Sequence, residues 1–414
     1  MTINLHTVET KSPIKPIRIL YLTLSACFLY AISAGLRSNY GLLINAIVSH
    51  CAVSYTTVSF ILAIGQLVYG IMQPLFGIIA IKRGNRFVLI LGALLMAIGI
   101  LLVPMCSASL PLLASLGILL PAGTGAISFG IIMGTITPSM GEQKAAAISG
   151  LVSASSGIGS TALSPLIQTL LSIVGLAGTM GALSLPILLL IPISHFMSKG
   201  QMKTTNQSEE ENVHILSMIK EAVSNPSYIF ATLGFFTCGF HMAIIETHVY
   251  SEFISYGIAE NTAAVAFSCY GIAMMIGCII SGFASAKIQM KWVLTFLYGF
   301  RAIFIVVFLL IPKNTVTVFG FALLLGLSSA STVTPTSGIV SQLFGAAKLA
   351  TLFGFCFLSH QIGSFLSAWI GGLCVDATNS YTLIWTADIV LCFGAALLCA
   401  KINEKQIISP QMGS

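Results

Sequence analysis

Charge is scarce in this chain of 414 residues. Charged side chains make up 7% of it, whereas soluble domains carry about 25%. The sequence has no G-x-x-x-x-G-K-[ST] loop for a nucleotide phosphate and no Ser-His-Asp or metal-ligand grouping. Its ten cysteines show no C-x-x-C spacing, so we interpret them as small apolar packing residues. The sequence therefore argues against an ATPase or other enzyme, and it predicts no catalytic residue, cofactor or metal.

Long apolar stretches take the place of the missing charge. Hydrophobic residues make up 56% of the chain, and runs of roughly 20 residues, enough to cross a bilayer core, recur along it. The short alternating pattern of a membrane β-barrel is absent, so the spans are helical. We predict an all-α integral membrane protein with twelve transmembrane helices in a lipid bilayer. The candidate spans lie at 18–48, 54–80, 87–106, 110–135, 144–168, 175–197, 226–256, 260–285, 291–312, 314–340, 349–373 and 380–401.

The few positive charges predict the orientation. With the N-terminus inside, fifteen of the eighteen Lys and Arg residues fall on cytoplasmic segments, and only Lys313 falls outside. The remaining two, Arg37 and Arg301, lie within spans. This asymmetry follows the positive-inside rule and places both termini in the cytoplasm. No basic face or aromatic platform indicates nucleic-acid binding, so the net charge of +6 is a topology signal.

One polar segment divides the spans into six and six. The stretch Ser198–Ser227 is rich in Gln, Thr, Asn and Glu, a composition typical of a cytoplasmic linker. The predicted division comprises a cytoplasmic tail, a six-helix bundle, the linker, a second six-helix bundle and a second cytoplasmic tail. These parts lie at 1–17, 18–197, 198–225, 226–402 and 403–414.

The two bundles repeat each other at an offset of 204 residues. The segments 141–160 and 345–364 share eight of twenty residues without a gap. At the same offset, Arg37 of the first span corresponds to His241 of the seventh. Two parallel repeats of six spans, related by an axis along the membrane normal, place a substrate site near mid-membrane between the halves.

This organisation resembles the major facilitator superfamily. The loop GIIAIKRGNR at 77–86 is similar to the superfamily signature between spans two and three, a Gly followed by Asp-Arg-x-Gly-x-Arg, with Ile81 in the Asp position. The stretches 35–47, 333–345 and 351–372 are similar to bacterial members of the monocarboxylate-porter group, which also contains oxalate–formate exchangers.

The resemblance implies a monomeric transporter of small organic anions, often coupled to a proton, in a bacterial inner membrane. It also implies a role for Arg37, which matches a basic residue that handles anion and proton in the animal lactate carriers. Those carriers have an Asp and an Arg one helical turn apart in span eight, and the stretch 270–282 has neither. The anion site is therefore not a copy of theirs.

Arg37 is the first candidate site residue. An ionisable residue inside a span costs about 2.5–3.5 kcal/mol on insertion scales and is a functional candidate by default. A guanidinium is always charged, and its planar fork fits a carboxylate. Arg37 is thus predicted either to capture a substrate anion or to pair with Glu246 or with backbone carbonyls. Asn39 and Tyr40 are predicted substrate contacts, with packing roles as the alternative.

Histidines and one carboxylate are the candidates for proton coupling. His241, the repeat equivalent of Arg37, and His360 with the neighbouring Gln361 in the middle of span eleven are predicted to line the same cavity as Arg37. Because histidine titrates near neutral pH, both histidines are candidates to carry a proton or to donate to an anion. Ordinary interhelical hydrogen bonds are the alternative. Glu246 is predicted to release Arg37 when an anion binds and then to take up a proton.

Arg301 and Asp388 lie at matched depths in the ninth and twelfth spans. We expect them to form a buried ion pair that holds the second bundle together. The sequence as a whole predicts a secondary transporter that moves a small organic anion with protons by alternating access. The alternatives are an exporter of a drug or metabolite by proton antiport and a membrane sensor without transport activity.

Overall fold

The described part of the chain is almost entirely helical. Helices are expected, because in lipid only a helix or a closed barrel satisfies every backbone N–H and C=O group. A computed structural model describes residues 16–140, 142–198, 218–344 and 346–404. Most of the predicted tails and linker lie outside that part, at 1–17, 403–414 and 198–225.

Twelve spans are present, as the sequence predicts, and the protein is a multi-pass membrane protein. Ten helices of the described residues are long and apolar enough to cross a membrane. One of them, Gly150–Met197, makes two crossings, and Ala346–Thr378 adds the last. The bounds are span 1, Pro16–Ser38 and Tyr40–Cys51; span 2, Tyr55–Arg83; span 3, Asn85–Leu102; span 4, Ser109–Leu112, Leu113–Leu119, Leu120–Ala126 and Phe129–Met140; spans 5 and 6, Glu142–Met197; span 7, Pro226–Ile244, Ile245–Val249 and Tyr250–Ser255; span 8, Glu260–Lys287; span 9, Met290–Leu310; span 10, Thr315–Ser329, Ala330–Thr332 and Val333–Phe344; span 11, Ala346–Thr378; and span 12, Thr382–Ala400.

Local sequence signals set several span ends. Gly175 separates spans 5 and 6 with a φ of 63°, a left-handed conformation that glycine adopts without steric cost. Asn225 caps span 7 by accepting hydrogen bonds from the backbone N–H groups of Ser227 and Tyr228. Asn314 begins span 10 with a capping box. These caps satisfy backbone donors where the chain turns between spans.

Spans 1–6 and spans 7–12, which we call the two halves, meet along two pairs of spans. Span 2 packs against span 11, and span 5 packs against span 8. Near the ends of these spans, Gln168 Nε2 donates to Glu260 Oε2 at 2.8 Å across the halves. We name this the outer side, after the orientation that the charges predict, and the opposite side the inner side.

The internal repeat appears as two equivalent helix crossings. In the first half, spans 1 and 5 cross where the backbones of Gly35 and Gly159 touch, and a Cβ on Gly159 would collide with a span 1 carbonyl oxygen. In the second half, spans 7 and 11 cross at Gly239 and Gly363, where a Cβ would likewise collide with backbone. The offset of 204 residues relates the first pair to the second. Small residues therefore allow the same close approach twice.

Replacing Gly159 by Ala should lower the free energy of unfolding by about 1–3 kcal/mol, because an added methyl group has no space in a tight crossing. The measurement is the thermal unfolding midpoint of the purified protein in detergent. Gly150→Ala is the matched control, since nothing lies within 4 Å of a Cβ built at this position on the same span. Equal midpoints for the two variants would contradict the crossing.

Candidate functional site

Arg37 lies at a break in the middle of span 1. The first helix of the span ends at Ser38, and the second begins at Tyr40. Asn39, at the break, donates from Nδ2 to the carbonyl oxygens of Gly35 at 2.7 Å and Ser160 at 3.3 Å. Asn39, a predicted substrate contact, therefore stabilises the break and so positions Arg37.

An ion pair between the two halves occupies the centre of the protein. Arg37 Nη1 donates to Glu246 Oε2 at 2.7 Å and to Gln66 Oε1 at 3.3 Å. The guanidinium carbon lies 5.1 Å from the centre of the Tyr69 ring, a cation–π arrangement. The Arg37 side chain is 16% exposed, whereas that of Glu246 is 2% exposed. The cation is thus partly exposed, while its partner is enclosed.

Glu246 owes its position to an irregular turn in span 7. Residues Ile245–Val249 form a π-helix between two α-helical segments. Such a turn contains one extra residue, which rotates the side chains that follow it, and π-bulges occur frequently at functional sites. The carbonyl oxygen of Glu246 lies against span 1, because a Cβ on Gly41 would be 2.9 Å from it. The turn therefore contacts the first half directly.

Gln361 and His360 join the same network from span 11. Gln361 Nε2 donates to the backbone oxygen of Gln66 at 3.1 Å across the halves. Since Gln361 Oε1 is an acceptor, His360 Nδ1 donates to it over 2.9 Å. The His360 ring stacks on Phe357, with centroids 5.3 Å apart. Both predicted residues are thus linked to Arg37 through Gln66.

Three buried oxygen atoms around Arg37 have no hydrogen-bond partner among the described residues. They are Asn39 Oδ1, the Tyr40 hydroxyl and Glu246 Oε1. Buried polar atoms are normally paired with protein or water. These atoms belong to residues two and three positions after Arg37, or to its ion-pair partner, and are therefore suited to a polar ligand or ordered water.

His241 lies in a different place from the one we expected. Its Nδ1 atom is 2.5 Å from Asp388 Oδ2 within the second half, and both side chains are fully buried. Because Asp388 provides a carboxylate inside the same half, His241 turns to span 12 and does not face Arg37. At the 204-residue offset, Ser184 stands where Asp388 stands. Arg37 therefore has no equivalent carboxylate in its own half.

Arg301 also differs from expectation. It does not pair directly with Asp388; its Nη2 donates to the carbonyl oxygens of Ser328 at 2.6 Å and Ser329 at 3.3 Å. These carbonyls lie at the end of the first helical segment of span 10, where backbone acceptors are left over. Arg301 thus stabilises a break in span 10, and Asp388 is satisfied by His241.

One group of side chains has the composition of a metal site. His241, Asp388 and Cys392 place ligand atoms within 4.8 Å of one another, all buried. Cys392 Sγ donates to Asp388 Oδ1 at 3.6 Å, and the other carboxylate oxygen is bonded to His241. Because both carboxylate oxygens of Asp388 have a partner within this group, we assign the three side chains to a hydrogen-bonded cluster, in which His241 Nε2 has no partner among the described residues.

Sequence reasoning missed Gln66 and Tyr69. Both lie in span 2 and contact Arg37. Neither is ionisable at neutral pH, so a search for charged residues within spans passes over them. A usable signal exists, because Gln66 is one of two amides, with Gln73, in the long apolar stretch of this helix.

Sequence relatives of this chain are transporters by name. Monocarboxylate transporter 13 of Rattus norvegicus is 24% identical and aligns over 87% of this chain and 83% of its own length. The MFS-type transporter YhjX of Escherichia coli is 26% identical over 78% of each chain. YcxA, an MFS-type transporter of Bacillus subtilis, is 30% identical, but the match spans 38% of this chain and 39% of that relative.

A solved structure has the same fold. The crystal structure of a D-xylose–proton symporter superposes with a TM-score of 0.76, covering 93% of this chain and 98% of that chain at 13% identity. The family model described as the Major Facilitator Superfamily matches residues 26–312 and 249–408. With twelve spans, repeated halves and a family match over most of its length, the chain belongs to the Major Facilitator Superfamily of membrane transporters.

Proposed function

We propose that this protein transports a small carboxylate anion together with a proton. The observation that carries the proposal is the ion pair of Arg37 with Glu246, which joins the two halves at the break in span 1 with a distance of 2.7 Å. A guanidinium fork binds a carboxylate in two places and does not distinguish a side chain from a solute. Glu246 thus occupies the place that a carboxylate cargo would take.

Charge balance couples the anion to the proton. In the empty site, the positive Arg37 and the negative Glu246 compensate each other. When a cargo carboxylate takes Arg37, Glu246 is left as a buried anion without a partner, and burial favours its neutral form. Uptake of one proton by Glu246 then restores a neutral site. The loaded site then carries no net charge when the two halves rearrange around the bound cargo.

The remaining parts of the proposal follow the resemblance and the charge distribution. The protein works as a monomer by alternating access in a bacterial inner membrane, with both termini in the cytoplasm. Its partners are the cargo, protons and lipid, and it carries out no covalent chemistry. The names of relatives that include monocarboxylate transporters support a carboxylate as the cargo.

A carboxylate should stabilise the wild-type protein through Arg37. A ligand of the folded state raises stability by about 2.7 kcal/mol at a hundred times its dissociation constant. We expect at least one anion of a mono- and dicarboxylate panel to raise the thermal midpoint in detergent. The shift should vanish in Arg37→Gln and shrink in Arg37→Lys, which keeps the charge and loses the fork.

The control for that experiment is Arg86→Gln, because Arg86 contacts His195 away from the central site. The ligand-induced shift is compared and not the basal midpoint, since removing Arg37 also leaves Glu246 unpaired. If neutral or cationic compounds stabilise the wild type and no carboxylate does, the anion proposal fails. The exporter hypothesis would then replace it, with Arg37 as a structural residue.

Glu246→Gln should uncouple transport from protons. Gln cannot take up the compensating proton, so carboxylate uptake into proteoliposomes should no longer respond to an imposed pH gradient. Exchange of labelled for unlabelled carboxylate, which needs no net proton movement, should persist. Uptake by Glu246→Gln that remained fully proton-driven would exclude Glu246 as the sole proton carrier.

A further inference from the structure

Polar contacts between the halves close the outer side of the protein. At the start of span 2, the Thr56 hydroxyl and backbone N–H donate to the Asp376 carboxylate of span 11. The same hydroxyl also lies 3.1 Å from the carbonyl oxygen of Gly372. In the second interface, Ser164 Oγ donates to the carbonyl oxygen of Ala264 at 2.7 Å. Spans 2 and 11 and spans 5 and 8, the two pairs that join the halves, are therefore hydrogen-bonded to each other at the outer side.

His248 occupies the centre of this closure. It is fully buried, and each ring nitrogen has a partner. Nε2 is 3.0 Å from the carbonyl oxygen of Ala368 in span 11, and Nδ1 is 3.0 Å from the Tyr55 hydroxyl in span 2. A carbonyl oxygen only accepts, so Nε2 carries a proton, and in the neutral ring Nδ1 accepts from the Tyr55 hydroxyl. The imidazole thus bridges the two halves.

Packing leaves this imidazole little freedom. A Cβ on Gly371 would collide with the His248 ring, so the ring lies directly on the backbone of span 11. On the other side of the same turn, a Cβ on Gly41 would lie 3.1 Å from the carbonyl oxygen of Thr247. The π-helical turn that contains His248 is therefore held between span 1 and span 11.

The same turn carries the partner of Arg37. Glu246 and His248 are two residues apart within Ile245–Val249. Glu246 reaches span 1, and His248 reaches spans 2 and 11. A change that frees Glu246 from Arg37 releases one of the two polar anchors of this short segment. The other anchor, His248, is one of the contacts that close the outer side.

We propose that His248 is a positioning residue that links the Arg37–Glu246 ion pair to closure of the outer side through the π-helical turn. While Glu246 is bound to Arg37, the turn keeps His248 between Tyr55 and Ala368. When Glu246 leaves Arg37, the turn relaxes and the bridge to Tyr55 weakens, so the outer side opens. This inference rests on the proposed transport cycle but not on the identity of the cargo.

Hydrogen–deuterium exchange of the whole protein in detergent tests the bridge. The readout is the exchange rate at the outer ends of spans 2 and 11, residues 55–60 and 368–376. Tyr55→Phe removes one hydroxyl and should speed exchange there about fivefold, since the loss of one hydrogen bond has this effect on an opening equilibrium. His248→Leu removes both hydrogen bonds of the ring and should speed exchange more than Tyr55→Phe does.

His50→Gln is the matched control, because His50 lies at the outer end of span 1 and contacts the Pro104 carbonyl oxygen within one half. It should leave the exchange of both segments unchanged. The bridge is overturned if Tyr55→Phe and a folded His248→Leu exchange at the wild-type rate.

A double variant tests the link between His248 and the Arg37–Glu246 ion pair. Glu246→Gln alone should speed outer-side exchange, and adding it to His248→Leu should give no further increase, because coupled residues are not additive. The link is overturned if the fold-increases in exchange rate of the two single variants multiply in the double variant. It is also overturned if Glu246→Gln alone leaves the exchange rate unchanged. No carboxylate is used, so this failure leaves the anion proposal intact. Failure of the carboxylate panel, conversely, leaves the exchange result unchanged.

Discussion

The structure depends on one electrostatic constraint: a permanent cation cannot remain unpaired in the middle of a membrane protein. Removing one partner from a buried ion pair typically costs about 3–5 kcal/mol, because the other charge is left uncompensated. Arg37 therefore needs an anion at all times, and Glu246 of the opposite half provides it. The halves are consequently joined by a contact that a carboxylate solute could replace. This makes the pair suitable as a switch.

The two halves share a frame and differ in where they place polar groups. The glycine crossings of spans 1 and 5 recur in spans 7 and 11. In the second half, however, Asp388 bonds to His241 Nδ1 within the half, whereas Ser184 stands at the equivalent position of the first half. The second half thus keeps His241 buried among its own spans. The first half turns its arginine towards the interface, and that difference creates a single central cation site.

Much of the architecture could be predicted from the sequence, because spans and repeats depend on hydrophobicity and small residues along the chain. Arg37 and Glu246 could also be identified, since charge within a span is rare. The partners of His241 and Arg301 could not, because a position in the chain gives depth in the membrane but not the direction of the side chain.

The π-helical turn explains a further part of what the sequence did not reveal. One extra residue in Ile245–Val249 alters which faces Glu246 and His248 present, and no sequence pattern marks it. Gln66 and Tyr69 contribute through an amide and an aromatic ring, which are less conspicuous than charges in an apolar span. The site is therefore assembled by helix irregularities and uncharged groups that surround one predictable cation.

In the proposed cycle, a carboxylate opens the Arg37–Glu246 pair, and Glu246 then takes up a proton. The most direct test measures proton uptake by the purified protein in weakly buffered detergent while a stabilising carboxylate is titrated in. The account predicts about one proton taken up per anion bound in the wild type and none in Glu246→Gln, which should still bind the anion. Binding without proton uptake in the wild type, or equal uptake in both proteins, would contradict it.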